Sequence, residues 1–492
     1  MKCNLYILKL YIILMILVQY YKIKNKGCVV MRNAGILMPV FSLPSKYGIG
    51  CFSNEAYDFI DFLAAAGQKY WQILPLGPTG SGNSPYQSYS TFAGNINFID
   101  LEQLADNYIS YLTKEELESC DWGNDPEHVD YDKIIKNKNK LLMKVYENKR
   151  DVLYKLFSYK KFCAVEKNWL DGYAKYMFMK EGNDEEFYKF TQYLFYIQWR
   201  DLKKYAEYKG IEIIGDLPIY VSLDSSDVYD NPELFQLDSN NIPKAVAGCP
   251  PDMFSKDGQL WGNPLYDWEY HKKTNYKWWI QRIKHNLELY DVVRIDHFRA
   301  MYDYYSIPSK AETAKEGEWK LGPGMNLFNE IYNKLGDVQL IAEDLGILSP
   351  GVHTLLKETG LPGMKILHFA FDGGKDNPYL PENISENYIV YSGTHDNNTT
   401  IGWYEEASDW EKKHFHSYIG NGEIHWEMIN LAMSTKAKTC IIPIQDYLGL
   451  GSEARVNVPG TVGDNWSWRI KEIPSEELAC KIKKMTEKNN RC

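Results

Sequence analysis

The sequence has 492 residues, of which 45% are hydrophobic and 24% are charged, a balance that is typical of a well-packed soluble protein. A net charge of −10 argues against nucleic acids and anionic membranes as partners. The nine cysteines are scattered without a close pair, which argues against a disulfide framework or a zinc site and favours a reducing, cytoplasmic compartment.

The first thirty residues differ from the rest of the chain. Residues 5–21, LYILKLYIILMILVQYY, form an apolar run that Lys9 interrupts, and the run is shorter than the roughly 20 residues a membrane-spanning helix needs. No small-residue cleavage site follows, so a secretory signal fits poorly. We expect residues 1–30 to be an apolar extension outside the fold. Either translation starts further along the chain than this sequence assumes, or the extension is dispensable. No membrane contact is expected unless this segment is a true anchor, which is the open alternative.

Short apolar runs recur along the remainder of the chain. Each run ends in polar, often acidic, residues and is followed by a segment with helical periodicity. Aliphatic runs that alternate with helices predict parallel strands covered on both faces, and eight such units predict a (β/α)8 TIM barrel. That fold places its catalytic groups at the C-terminal ends of the strands, where these runs turn polar. The eight runs are residues 34–40, 70–76, 211–218, 291–296, 339–344, 364–372, 388–396 and 439–446.

Two stretches are longer than a simple strand–helix unit requires. Residues about 101–210, between the second and third runs, are rich in Lys, Glu and Tyr and predict an inserted helical subdomain. Residues 222–268 are dense in Pro, Gly, Asp and Asn and predict a long irregular loop over the C-terminal face. Since no low-complexity linker divides the chain, we expect residues 31–492 to form a single catalytic barrel.

Three carboxylates stand at the polar ends of these runs, Asp296 after the fourth, Glu343 in the fifth and Asp396 in the seventh. Glycosidic-bond chemistry uses such an arrangement, because one carboxylate attacks the anomeric carbon while another protonates the leaving oxygen. Arg294, two residues before Asp296, would keep the attacking carboxylate ionised by stabilising its charged form. The structural alternative is that these residues only cap strands and form salt bridges.

The segments around these carboxylates form a recognisable set. VRIDHFR, IAEDLG and SGTHDNNT place the three carboxylates 47 and 53 positions apart, and SPYQSYSTFAGN, GQLWGNPLYDW and NWSWR occur in a fixed order around them. This set closely resembles the 4-alpha-glucanotransferases, also called amylomaltases or disproportionating enzymes, a branch of the alpha-amylase superfamily. The resemblance runs from about residue 32 to residue 469.

The resemblance implies a role for each matching residue. Asp296 would be the nucleophile, Glu343 the general acid/base and Asp396 the transition-state stabiliser. Tyr86 and Trp261 could instead be packing residues, and Asp216 could merely cap the third strand. The resemblance implies no metal and no organic cofactor. The residues that match family positions near bound glucan are Ser84, Tyr86, Asp216, Asp252, Trp261, Arg294, Asp372, His395 and Asn465.

The activity implied by the resemblance is the transfer of glucan segments between maltooligosaccharides or other alpha-1,4-glucans. A hydrolase of the same superfamily and, more remotely, a glycan-binding protein without catalysis remain alternatives; a branching enzyme fits the motifs less well. We expect the loop that carries Trp261 and the segment PGTVGDNWSWR to fold over the barrel mouth at Asp296. There they would hold the acceptor sugar and exclude water.

Overall fold

A computed structural model describes residues 32–106, 112–251 and 255–491 of the chain. The predictions made for residues 1–30 and for Asp252 lie outside these described residues. Within them, no helix is both long and apolar enough to cross a membrane. The strands of this part are β1 (Asn33–Leu37), β2 (Tyr70–Gln72), β3 (Glu212–Leu217), β4 (Ala245–Cys249), β5 (Gln259–Pro264), β6 (Val292–Ile295), β7 (Asp303–Pro308), β8 (Glu318–Leu321), β9 (Leu340–Ala342), β10 (Gly363–Ile366), β11 (Tyr388–Tyr391) and β12 (Thr439–Pro443).

Eight of these strands form the barrel. They pair in parallel in the order β10-β11-β12-β1-β2-β3-β6-β9, so consecutive apolar runs of the sequence are neighbours in the sheet. Each of the eight runs overlaps one barrel strand. The predicted (β/α)8 barrel is therefore confirmed.

The barrel closes between β9 and β10 without a regular ladder. The backbone N–H of Ala342 donates to the carbonyl of Pro362 at 2.9 Å, and the N–H of Met364 donates to Asp344 Oδ1 at 2.6 Å. The Lys365 ammonium lies 3.8 Å from Asp344 Oδ2, and burial raises the pKa of Asp344 to about 6. The closure thus combines one backbone bond with a bond to the Asp344 side chain, where the other strand pairs form backbone ladders.

Two apolar layers enclose the strands. Inside the barrel, Leu37, Ile214, Ile341 and other aliphatic side chains pack together, and a larger cluster fills the space between strands and helices. The packing at Gly35 is so close that a Cβ there would lie 2.5 Å from the Cβ of Tyr70. Because side chains fill the interior, the polar chemistry is confined to the C-terminal ends of the strands.

The helices around the barrel begin at polar caps. Asp184, for example, accepts a hydrogen bond from the backbone N–H of Glu186 at 3.0 Å where the helix Glu185–Tyr208 begins. That helix buries one apolar face, including Trp199 and Leu202, and leads directly into β3. The α-helices of the described residues are Asn54–Ala65, Leu101–Asp106, Lys114–Glu118, Tyr131–Leu153, Phe157–Val165, Lys167–Glu181, Glu185–Tyr208, Ser226–Asp230, Trp268–Lys273, Lys277–Leu289, Met325–Leu335, Pro350–Thr359, Thr400–Glu406, Asp409–His416, Ile424–Ser434, Ile444–Leu448 and Glu476–Lys488.

The stretch between β2 and β3 contains the helices from Leu101 to Tyr208, so the predicted helical insertion at this point of the barrel is confirmed. One unit departs from the strand–helix pattern. Residues 367–387, all of them described, contain only the 3-10 turns Leu367–Phe369 and Pro381–Asn383 between β10 and β11. This stretch, which carries Asp372, is a loop.

A second sheet stands beside the barrel mouth. Strands β5, β4, β7 and β8 pair antiparallel in that order, and β7 begins shortly after Asp296. The prediction that residues 222–268 form one irregular loop was wrong, because this stretch contains β4 and β5. Gly248, Gly262 and Pro264 interrupt the alternation of these short strands, and β4 pairs on its other side with β7, which is distant in sequence, so no local pattern revealed them.

Candidate active site

The register of the barrel strands brings the first two predicted carboxylates together. Leu217 lies opposite Ile295, and Ile295 lies opposite Ala342. The next residues continue the ladder, since the N–H of Asp296 donates to the carbonyl of Leu217 and that of Glu343 to the carbonyl of Ile295, both at 3.0 Å. Asp296 and Glu343 therefore follow adjacent parallel strands at the same level of the C-terminal face.

Arg294 is buried beneath this level and links two carboxylates. Its Nη1 donates to both oxygens of Asp216 at 2.7 Å and to Asp296 Oδ1 at 3.0 Å. The register explains the contact, because Asp216 on β3 lies directly opposite Arg294 on β6. Asp216 is 2% exposed, and it serves as the charge partner of Arg294 rather than as a strand cap.

Tyr86 connects this ion pair to the seventh barrel strand. Its hydroxyl donates to Asp216 Oδ2 at 2.6 Å and lies 2.9 Å from His395 Nε2, while the two rings stack with centroids 5.4 Å apart. His395 Nδ1 is buried and has no hydrogen-bond partner in the described part of the chain. Trp466 is 6% exposed and packs against both rings, so it holds Tyr86 and His395 in place.

Asp396 is held by residues that the sequence did not single out. Asn457 Nδ2 donates to Asp396 Oδ1 at 2.7 Å, and Arg455 donates to the backbone carbonyl of Asp396 at 2.8 Å. His395 Nε2 lies 3.4 Å from the same carboxylate oxygen. Asn457 stands two residues before the motif PGTVGDNWSWR, and no pattern in its own segment marked it.

Glu343 accepts two backbone hydrogen bonds. The N–H of His297 donates to Oε2 at 2.7 Å, and the N–H of Leu345 donates to Oε1 at 2.9 Å. These two bonds fix the orientation of the carboxyl group at the end of β9. His297 thus contacts Glu343 through its backbone, and Arg299 bonds to Asp303 and to the carbonyl of Ile347.

Crowding of carboxylates controls the charge of the site. Burial raises the pKa of Asp296 to about 8, the neighbouring Asp216, Glu343 and Asp396 add to this rise, and Arg294 opposes it. Arg294 lowers the pKa of Asp296, as predicted, but burial and the neighbouring carboxylates together raise it by more. Attack on the anomeric carbon requires Asp296 in its ionised form, and the Arg294 guanidinium, 3.0 Å from Oδ1, stabilises that form.

The other predicted residues take different positions. Trp261 is half-buried, and its ring meets that of His297 edge-on with centroids 5.1 Å apart. Ser84 accepts a hydrogen bond from the N–H of Tyr86 at 3.3 Å. Asp372 is exposed and accepts a hydrogen bond from the side chain of Asn377 at 2.9 Å.

Asn465 uses both polar atoms inside its own loop. It accepts a hydrogen bond from the N–H of Val458 at 2.9 Å and donates to Thr461 at 3.1 Å. These bonds stabilise the loop formed by residues 458–465. Across the described residues, no group of three or more His, Cys, Asp or Glu side chains is arranged to hold a metal ion.

Comparisons with known proteins agree with this geometry. A family model described as 4-alpha-glucanotransferase matches residues 38–186 and 180–475. The 4-alpha-glucanotransferase of Clostridium butyricum is 46% identical over 92% of this chain and 100% of its own, and that of Thermus thermophilus is 40% identical over 94% and 99%. The structure of an amylomaltase from Streptococcus agalactiae in complex with acarbose has a TM-score of 0.89 at 40% identity, covering 94% of this chain and 99% of that one. The chain belongs to the 4-alpha-glucanotransferase family.

Proposed function

We propose that this chain transfers a segment of an alpha-1,4-glucan to the 4-hydroxyl of glucose or of another alpha-1,4-glucan by a retaining double displacement. The observation that carries the proposal is the placement of Asp296 and Glu343 at one level of adjacent strands, with Arg294 bonded to Asp296. A retaining enzyme needs carboxyl groups about 5–5.5 Å apart, so that one can attack the anomeric carbon while the other reaches the leaving oxygen.

In the first half-reaction, Asp296 attacks the anomeric carbon and the glycosidic carbon–oxygen bond breaks. Glu343 gives its proton to the departing oxygen, which leaves as the 4-hydroxyl of the released chain. In the second half-reaction, Glu343 accepts the proton of an acceptor 4-hydroxyl, whose oxygen bonds to the anomeric carbon while Asp296 leaves as a carboxylate. Asp396, oriented by Asn457, stabilises the positive charge that develops on the sugar ring in both transition states.

The residues around these carboxylates are proposed to bind sugar. Tyr86, Arg294, Asp216 and His395 form a hydrogen-bonded floor beneath the three carboxylates. The remaining proposed substrate contacts are Ser84, Asp252, Trp261, Asp372 and Asn465.

Transfer requires that an acceptor sugar outcompetes water. Water is present at about 55 M and an acceptor at millimolar levels, so even a modest preference for sugar needs discrimination on the order of 10⁵, or about 7 kcal/mol of barrier difference. Acceptor binding energy and exclusion of water together can supply that difference. The half-buried ring of Trp261, beside the residue that follows Asp296, supports a role in holding the acceptor.

We further propose that residues 31–492 act as one catalytic unit, in which residues about 101–210 are an insertion, and that it works in the cytoplasm. The free thiols of Cys51, Cys163 and Cys440 suit a reducing compartment.

The test is to incubate the pure protein with maltotriose and to resolve the products by chromatography. A transferase yields glucose together with oligomers longer than maltotriose, and new reducing ends accumulate slowly. Production of glucose and maltose alone, with reducing ends rising in step, would identify a hydrolase. A protein that binds maltotriose without changing it would be a glycan-binding protein.

A further inference from the structure

Three exposed apolar side chains are grouped beside the barrel mouth. Trp319 and Leu321 lie on the same face of β8, because strand residues two apart do so, and they are 39% and 74% exposed. Ile347, which is 88% exposed, lies in the loop that follows Glu343. Single exposed apolar residues are ordinary on protein surfaces, whereas grouped ones mark binding surfaces. We call these three residues the Trp319 patch.

Arg299 joins the members of this patch. Its guanidinium carbon lies 3.6 Å from the centre of the Trp319 ring, and its Nη1 donates to the carbonyl of Ile347 at 2.6 Å. Its Nε donates to Asp303 at 2.8 Å, and Asp303 lies opposite Leu321 in the ladder between β7 and β8. These contacts hold the indole in place before any ligand arrives, which lowers the entropic cost of stacking a ligand on it.

The patch lies on the side of the mouth where a glucan chain has to pass. Arg299 comes three residues after Asp296 and Ile347 four residues after Glu343, both beyond the C-terminal ends of their strands. Glu343 is proposed to protonate the oxygen between the retained and the departing sugars, so the loop that follows it borders the departing chain. The acceptor enters on that same side, because its hydroxyl takes the place of the departing oxygen.

The second sheet connects the patch to the proposed site of the first acceptor sugar. Trp261 is on β5 and Trp319 is on β8, which are the two edge strands of this sheet. Neighbouring strands are roughly 4.8 Å apart, so the two edges are separated by about 14 Å. A single glucose at Trp261 therefore does not reach Trp319, whereas a chain of several sugars can.

We propose that the Trp319 patch is an outer binding site for an alpha-1,4-glucan chain, occupied by the departing chain in the first half-reaction and by the acceptor in the second. The first acceptor sugar lies at Trp261, and a sugar further along the chain stacks its apolar C–H face on Trp319. Flat aromatic rings suit this contact, because the sugar hydroxyls then point outwards to water. Leu321 and Ile347 extend the apolar surface on either side.

The patch sets the chain length that the enzyme prefers. It adds binding energy only to chains that are long enough to reach it. Departing and acceptor chains occupy the same sites in equivalent transition states, so the contact assists donor cleavage and transfer alike. This inference rests on the proposed function and deepens it, since it assigns the chains that the function favours.

The test varies the length of the acceptor with one fixed donor. Maltotriosyl fluoride is the donor, and because fluoride replaces the departing chain, only the acceptor meets the patch. Glucose, maltose and longer oligomers up to maltoheptaose are the acceptors for the wild type, Trp319→Ala, Trp319→Phe and Ile347→Ser. For the wild type, the acceptor KM should fall once the chain reaches the patch. Trp319→Ala should raise the KM for maltoheptaose roughly tenfold and leave that for glucose unchanged, whereas Trp319→Phe, which keeps a ring, should restore most of the preference.

Tyr208→Ala is the matched control. Tyr208 is an aromatic residue that is 82% exposed, but it ends the helix that leads into β3 and so lies on the opposite face of the barrel. Its loss should leave the acceptor series as in the wild type. If Trp319→Ala does not fold, Ile347→Ser decides the question, because it alters a side chain with little packing, and it should raise the KM for maltoheptaose and not for glucose.

Two results would overturn the inference. One is a Trp319→Ala variant whose acceptor series is unchanged, or whose KM rises equally for glucose and maltoheptaose. The other is a change of oligomeric state in size-exclusion chromatography with an unchanged acceptor series, which would make the patch a contact between copies of the chain. Absence of transfer to every acceptor in the wild type would instead contradict the proposed function itself.

Discussion

Replacing Asp296 by Asn should abolish activity and, at neutral pH and above, stabilise the fold. The carboxylate lies among Asp216, Glu343 and Asp396, and its pKa is raised from 3.8 to about 8. Asn has nearly the same shape and keeps an oxygen that can accept from Arg294, but it carries no charge. The substitution therefore relieves carboxylate repulsion without opening a cavity.

The sign and size follow from proton linkage. Between pH 4 and pH 8 the native state retains a proton that the unfolded chain has lost, so native stability falls as pH rises through this window. Each unit of pKa difference corresponds to about 1.4 kcal/mol, but the Asp296 side chain is 25% exposed, so solvent screens part of the repulsion. We expect a net difference of about 2 kcal/mol between pH 5 and pH 8, or about 2 °C in melting temperature for a chain of this size.

The assay is thermal unfolding of the wild type and Asp296→Asn at one scan rate, in steps from pH 5 to pH 8. The melting temperature of the variant should rise relative to the wild type as pH increases. Asp376→Asn, which removes an exposed carboxylate, is the control and should show no such trend. A difference for Asp296→Asn that stays constant with pH, or a variant that is less stable than the wild type at pH 8, would refute the electrostatic account.

Three further outcomes are expected. For the wild type, kcat/KM should rise with pH towards about 8, because Asp296 attacks only in its ionised form and its pKa is raised to about 8; a profile that is flat between pH 5 and pH 8 would contradict this. Asn457→Ala should lower kcat by about 10- to 100-fold by releasing the Asp396 carboxylate, with a smaller change in KM, and an unchanged kcat would show that Asp396 is held by other groups. A chain that starts at Met31 should fold and keep full activity, whereas its loss of activity, or recovery of the full chain in the membrane fraction, would favour an anchor in residues 1–30.

The barrel could be predicted from the sequence because its determinants are local. Each run, such as DVVRID at residues 291–296, carries its own aliphatic pattern and its own polar end, and eight repeats of the pattern specify one architecture. The same pattern placed Asp296 and Glu343 at the ends of adjacent strands. Strands β4 and β5 could not be predicted in this way, because both are short and broken by Gly or Pro, and because β4 pairs with β7, a strand beyond Asp296.

The contacts between the site residues were harder to predict. Asp216 looked like a strand cap or a sugar ligand, yet register alone makes it the partner of Arg294. Asn457 reaches Asp396 across a fold contact that spans 61 positions of the chain, and no spacing rule connects them. The left-handed turn at His297 is a conformation that sequence rules assign to glycine, so it too becomes visible only in three dimensions.

The central claim is that Asp296 forms a covalent glycosyl ester that sugar, rather than water, resolves. The most direct test uses Glu343→Gln with maltotriosyl fluoride, whose leaving group departs without an acid, so that the intermediate accumulates. Mass spectrometry should find one maltotriosyl group on the peptide that contains Asp296. The wild type, given maltotriosyl fluoride together with maltose, should form longer oligomers far faster than it releases free maltotriose. An adduct on another residue, or release of maltotriose by the wild type as fast as transfer to maltose, would contradict the account.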